Sequence, residues 1–199
     1  MSTNPPAAVR VESASVTTTS LARRAAREAM LILGGAAAIA LIGQIALPLP
    51  FTPVPVTLGT LAALAVGGVL GSRRGLAAVA LFAGSAALGA PVLAGWTGGV
   101  TASFGYVLGY GLAALLAGRA AAIPVNRGKA AKAVRAAALR VGLMLAASAL
   151  VYVPGLVWLH AATGASWSAT FAMGLAPFVI GDLLKSLAAA LLRRPAVLR

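Results

Sequence analysis

Acidic residues are nearly absent from this chain: 3 among 199, namely Glu12, Glu28 and Asp182. Cysteine is absent altogether, which excludes disulfides, thiolate chemistry and cysteine-held metals. His160 is the one histidine, with no carboxylate near it in sequence, so it reads as an interfacial residue and no metal or cofactor is expected. Charged residues make up only 10% of the chain, against about 25% in a soluble domain. No HExxH, GxSxG or P-loop pattern occurs. The chain therefore has no motif with which to hydrolyse ATP itself.

Hydrophobic residues make up 60% of the chain, with mean hydropathy +0.96. A spanning helix takes roughly 20 apolar residues. The expected fold is therefore an all-α integral membrane protein, a compact bundle of six transmembrane helices with no room for a soluble domain. The apolar segments run over about 29–47, 57–70, 75–88, 103–122, 136–159 and 171–192. The second and third are short for full spans and require tilt or helical flanks. Residues 1–27, polar and then basic, read as a disordered tail without a cleavable signal peptide. Residues 28–192 form the membrane domain and 193–199 a second basic tail.

The net charge of +13 can suggest nucleic acid, but its placement does not. Fifteen of the 16 Lys and Arg lie before segment one, between two and three, between four and five, or after six. The other three connections carry none. By the positive-inside rule both termini are cytoplasmic.

Asp182 and Lys185 break the pattern. They lie in Ile180-Gly181-Asp182-Leu183-Leu184-Lys185, inside the last apolar segment. Spaced i, i+3, they share a helix face. Counting back from Arg193 places them roughly 16 and 12 Å into the membrane. A charge at that depth costs at least about 2.5–3.5 kcal/mol, so it normally faces a cavity or a partner. The pair reads as a ligand site, against the alternative of a structural ion pair between helices.

The uncharged connections are rich in proline, glycine and aromatics. Pro48, Pro50, Pro53 and Pro55 forbid regular helix, and the segment from Pro48 to Pro55 fits a stiff lid. Gly95-Trp96-Thr97-Gly98-Gly99 reads either as a binding loop or as an interfacial Trp with turn glycines. Tyr106 and Tyr110, each preceded by a glycine, form an aromatic face on segment four, or else an interfacial anchor. Ala36 and Ala40 lie on a small-residue face of segment one, suited either to docking another membrane subunit or to internal packing.

In order along the chain stand Pro53-Val54-Pro55-Val56-Thr57-Leu58, Leu88-Gly89-Ala90-Pro91-Val92, Gly105-Tyr106-Val107-Leu108-Gly109-Tyr110 and Gly181-Asp182-Leu183-Leu184-Lys185. These motifs, over about residues 28–192, resemble the BioY family of biotin transporters, the substrate-binding S components of energy-coupling factor transporters. The sequence departs from the family pattern at Gly59, usually Gln, and at Ala102-Ser103-Phe104, where Pro-Thr-Gly is usual. The resemblance implies six helices, uptake of biotin in a bacterial cell membrane, and partners: a transmembrane coupling protein and two ATP-binding-cassette ATPases. It gives a candidate substrate-binding set of Asp182, Lys185, Trp96, Thr97, Gly98, Tyr106, Tyr110 and Thr57, with Ala36 and Ala40 as docking residues. Which polar group of biotin each of Asp182 and Lys185 meets stays open. The competing readings are an S component for another vitamin, a membrane-embedded enzyme, or a scaffold.

Overall fold

The structure is a computed structural model that describes residues 7–124, 130–192 and 195. Arg127, Lys129, Arg193, Arg194 and Arg199 of the basic clusters lie outside the described residues. So do residues 1–6 and most of the tail 193–199.

The fold is mostly helical: α1 Ala7–Gly43, α2 Gly59–Leu70, α3 Ser72–Ala87, α4 Phe104–Ala121, α5 Ala130–Thr163, α6 Trp167–Gly174 and α7 Val179–Leu191. One short antiparallel ladder, β1 Ala46–Leu47 with β2 Val56–Thr57, closes the base of the proline loop.

Two expectations need correction. Residues 7–27 are helical, continuous with segment one, and not a disordered tail. That stretch contains neither glycine nor proline to stop a helix. Segment six is not one helix either. It divides into α6 and α7, bent by 49°, so the described residues hold seven helices, with the expected sixth span divided in two. The break falls at Gly174-Leu175-Ala176-Pro177, where proline removes an N–H donor and clashes with the preceding turn.

Three helical stretches are long and apolar enough to cross a membrane: Leu21–Gly43, Phe104–Ala121 and Ala130–Thr163. Counting the bent pair α6–α7 as one span makes four. Helix α2, with 12 residues, is only about 18 Å long. It turns directly into α3 through Gly71, whose φ of 87° is in the left-handed region that glycine tolerates.

Helix α4 sits at the centre, packed on α2, α3 and α5. Lipid tails are as apolar as leucine, so membrane helices associate through close backbone approach at small residues. Gly109 meets the Val151 carbonyl so closely that an added Cβ would stand 2.6 Å from its oxygen. Gly105 is sealed in the same way by Pro154 and Trp158. The glycines before the two tyrosines thus set the α4–α5 contact, and the tyrosines follow into the interior.

Candidate functional site

The Gly174–Pro177 break positions the site. Helix α7 starts at Val179, which puts Asp182 in its first turn. A carboxylate there is favoured by the partial positive charge of the helix N-terminus. One turn on, the Lys185 ammonium donates to Asp182 Oδ1 at 2.8 Å. The two residues are 7% and 8% exposed, so this ion pair is shielded from solvent. The other carboxylate oxygen, Oδ2, accepts from the Tyr152 hydroxyl at 2.5 Å. Asp182 therefore takes a strong hydrogen bond from α5 as well as from its own helix.

Tyrosines build the surrounding walls. Tyr106 donates to the Gly174 carbonyl at 2.8 Å, capping a group next to the break. Its ring meets Tyr152 edge-to-face at 6.1 Å and Phe178 at 6.5 Å. Tyr110 is buried, with its hydroxyl directly over Gly59, where any Cβ would collide with it. Asp182, Lys185, Tyr152, Phe178, Thr57, Thr60, Tyr106 and Tyr110 enclose a small space of about 40 Å³.

A larger cavity of about 260 Å³ adjoins it, lined by Ile39, Phe82, Leu93, Thr97, Thr101 and Ser103 among others. Val54, Pro55, Thr57, Tyr106 and Tyr110 line both spaces and form the wall between them. Pro53 and the buried Val54 bring the proline loop over the larger cavity. The β1–β2 ladder and the Leu58 N–H to Ile45 carbonyl bond of 3.0 Å hold the two ends of that loop together.

Of the expected site residues, Asp182, Lys185, Tyr106, Tyr110 and Thr57 converge on one place, and Thr97 lines the adjoining cavity. Trp96 does not. It is 59% exposed, with a φ of 56°, and lines neither space. It turns outward because its backbone is held in a left-handed turn beside Gly95. Gly98 presents no group to the cavity; it lets the loop pass against the carbonyls of Gly89 and Ala90. The docking role of Ala36 and Ala40 also needs correction. Both are buried in the core, 8% and 9% exposed, on the side of α1 that packs on α2 and α3.

Two residues were missed from sequence. Tyr152 carried a signal, as a hydroxyl-bearing ring inside an apolar segment. Gln44 carried little, but its side chain joins α1 to the loop after α3. Its Nε2 donates to the Val92 and Leu93 carbonyls at 3.3 and 3.0 Å, and its Oε1 accepts from the Trp96 N–H at 3.1 Å. A cluster of carboxylates and histidines able to hold a metal is absent among the described residues.

Against known proteins, the model of the BioY family matches residues 12–198. The biotin transporter BioY of Rhizobium etli is 32% identical over 150 residues, covering 73% of this chain and 79% of that protein. The biotin transporter BioY of Rhodobacter capsulatus is 35% identical over 178 residues, covering 80% and 87%. The crystal structure of the S-component for biotin from an ECF-type ABC transporter superposes with a TM-score of 0.68 over 84% of this chain and 89% of that one. At 23% identity that likeness speaks for a shared fold. The family match over almost the full length, with relatives above 30% identity across most of both chains, places this multi-pass membrane protein in the BioY family.

Proposed function

We propose that this chain binds biotin within the membrane and serves its uptake as the S component of an energy-coupling factor transporter. The observation that carries the reading is the buried Lys185–Asp182–Tyr152 cluster beside an aromatic- and proline-walled cavity. Biotin combines a ureido group, an apolar sulfur-containing ring and a valerate carboxylate. Lys185 has three N–H donors and spends one on Asp182, which leaves it able to meet the ureido carbonyl or the carboxylate. Asp182 keeps lone pairs for a ureido N–H. Tyr106, Tyr110, Phe82 and the prolines offer apolar surface for the ring and chain. The two spaces together are small, in keeping with one vitamin-sized ligand.

On this reading the proline loop is a lid, pinned at its base, with Phe51 at its tip 62% exposed. Both termini face the cytoplasm, as the clustered basic residues favour. Energy comes from partners, a transmembrane coupling protein and two ATP-binding-cassette ATPases, because the sequence carries no phosphate loop of its own.

Binding of tritiated biotin to the detergent-purified protein is the direct test, with unlabelled biotin, thiamine and riboflavin as competitors. Displacement by biotin alone supports the reading. Displacement by thiamine or riboflavin moves the chain to another vitamin, and absence of saturable binding overturns the reading.

A further inference from the structure

A third cavity, of about 460 Å³, opens at the opposite end of the helices from the proline loop, around the α2–α3 turn. Arg73 and Arg74 line it from the start of α3, and Arg119 lines it from the last turn of α4. Glu28 is the one acid in its wall, and it is already taken by a two-point ion pair with Arg74, Arg74 Nε meeting Glu28 Oε2 at 2.7 Å. The three guanidinium groups and one carboxylate leave two positive charges uncompensated. Among the described residues, neither Arg73 nor Arg119 makes an ion pair or hydrogen bond.

Arg73 and Arg119 are both exposed at the recess and so open to an anion, and the α3 end of the cluster favours one. Arg73 and Arg74 are the second and third residues of α3, whose first turn holds no acid. They stand at the positive end of the helix dipole, where acidic groups are normally found. Ser72 Oγ donates to the Leu115 carbonyl at 2.7 Å, and Gly118 packs directly on Ser72, so α3 and α4 are locked together beside the two free arginines.

The apolar surface next to the cavity points to the source of the anion. Leu76 follows Arg73 by one turn and is 39% exposed. Leu112 and Leu108 lie on the Arg119 side of α4 at spacings of 7 and 11 residues, 39% and 45% exposed. Leu76 reaches Gly111 of α4, so it adjoins the leucines of α4. A charged recess that leads onto an exposed leucine surface matches a headgroup with its acyl chains.

We propose that this cavity is a phosphate-binding site, filled from the bilayer by the headgroup of an acidic phospholipid. Two guanidinium groups suit phosphate oxygens in charge and in paired donor geometry. Basic recesses between membrane helices are a known way to hold such headgroups.

The test is native mass spectrometry of the purified full chain titrated with phosphatidylglycerol or phosphatidylcholine, with a parallel thermal-shift series in inorganic phosphate at matched ionic strength. Two basic contacts should favour phosphatidylglycerol by about 10–30-fold. R73Q/R119Q should bring the two lipids near parity, and R73K/R119K should keep most of the preference. R23Q/R24Q removes the same charge from α1 and should change little. Biotin binding measured on the same samples should be unaffected, so failure of this site and failure of the biotin reading are separable. Stabilisation by inorganic phosphate through Arg73 and Arg119, without lipid preference, would overturn the membrane source in favour of a soluble anion. Equal loss in R73Q/R119Q and R23Q/R24Q, or no response to either ligand, would overturn the site and leave the basic recess to an acidic partner protein.

Discussion

Neutralising Asp182 should be far more damaging than neutralising Lys185, although they form one ion pair. In Asp182→Asn the Lys185 ammonium stays buried at 8% exposure and loses its one anionic partner. An uncompensated buried charge of this kind costs about 3–5 kcal/mol. In Lys185→Met the carboxylate keeps the Tyr152 hydroxyl and the first-turn dipole of α7. Those two interactions are worth roughly 1.5–3 kcal/mol and up to about 1 kcal/mol respectively, so the loss should be no more than half as large. For a chain of this size 1 kcal/mol moves the melting temperature by about 2–4 °C. Asp182→Asn should therefore fall by about 6–20 °C and Lys185→Met by less than half of that. The double variant Asp182→Asn/Lys185→Met removes both charges and should recover much of the stability. Thermal unfolding in detergent, followed by tryptophan fluorescence, gives the four corners of the cycle. Equal losses for the two single variants, or a double variant that melts at the sum of both losses, would refute the electrostatic account. Biotin binding supplies the second half: the recovered double variant should fold but not bind. Retained affinity there would remove Asp182 and Lys185 from the site.

Three further outcomes follow from the geometry. Tyr152→Phe deletes one hydrogen bond to a charged oxygen, about 1.5–3 kcal/mol, and should weaken biotin binding by about 10- to 150-fold at most; an affinity within twofold of the wild type in equilibrium binding would show that Asp182 is oriented without it. Gln44→Leu should loosen the loop carrying Val92 to Trp96, and Pro53→Gly/Pro55→Gly should loosen the opposite lid by restoring backbone freedom; both should speed biotin dissociation more than they slow association, and stopped-flow tryptophan fluorescence with unchanged off-rates would make these loops passive connectors. Ala36→Trp or Ala40→Trp should destabilise the chain itself by at least about 1–3 kcal/mol through overpacking, visible as a lower melting temperature; a variant that melts normally yet fails to assemble would return these residues to a docking face.

Sequence alone determined the class of molecule and singled out the charged centre of the candidate site. Hydropathy and the scarcity of acids are properties of composition, so the membrane character needed no coordinates. Asp182 and Lys185 stood out for the same reason: a charge in an apolar segment is conspicuous wherever the helix points. The segment positions were also legible, with 103–122 against α4 Phe104–Ala121 and 57–70 against α2 Gly59–Leu70. The division of segment six was written in Gly174 and Pro177, yet its consequence was spatial. It placed Asp182 in a helix first turn and set the Gly174 carbonyl against Tyr106. What only the tertiary structure decided is which way each helix faces. Lipid and protein interior are both apolar, so a membrane helix carries little hydrophobic asymmetry to reveal its rotation. That is why Ala36 and Ala40 turned out to face inward; Trp96, in a loop and not on a helix, turned outward through its left-handed backbone beside Gly95. It is also why Tyr152, 30 residues from Asp182 in the chain, became its nearest partner from another helix.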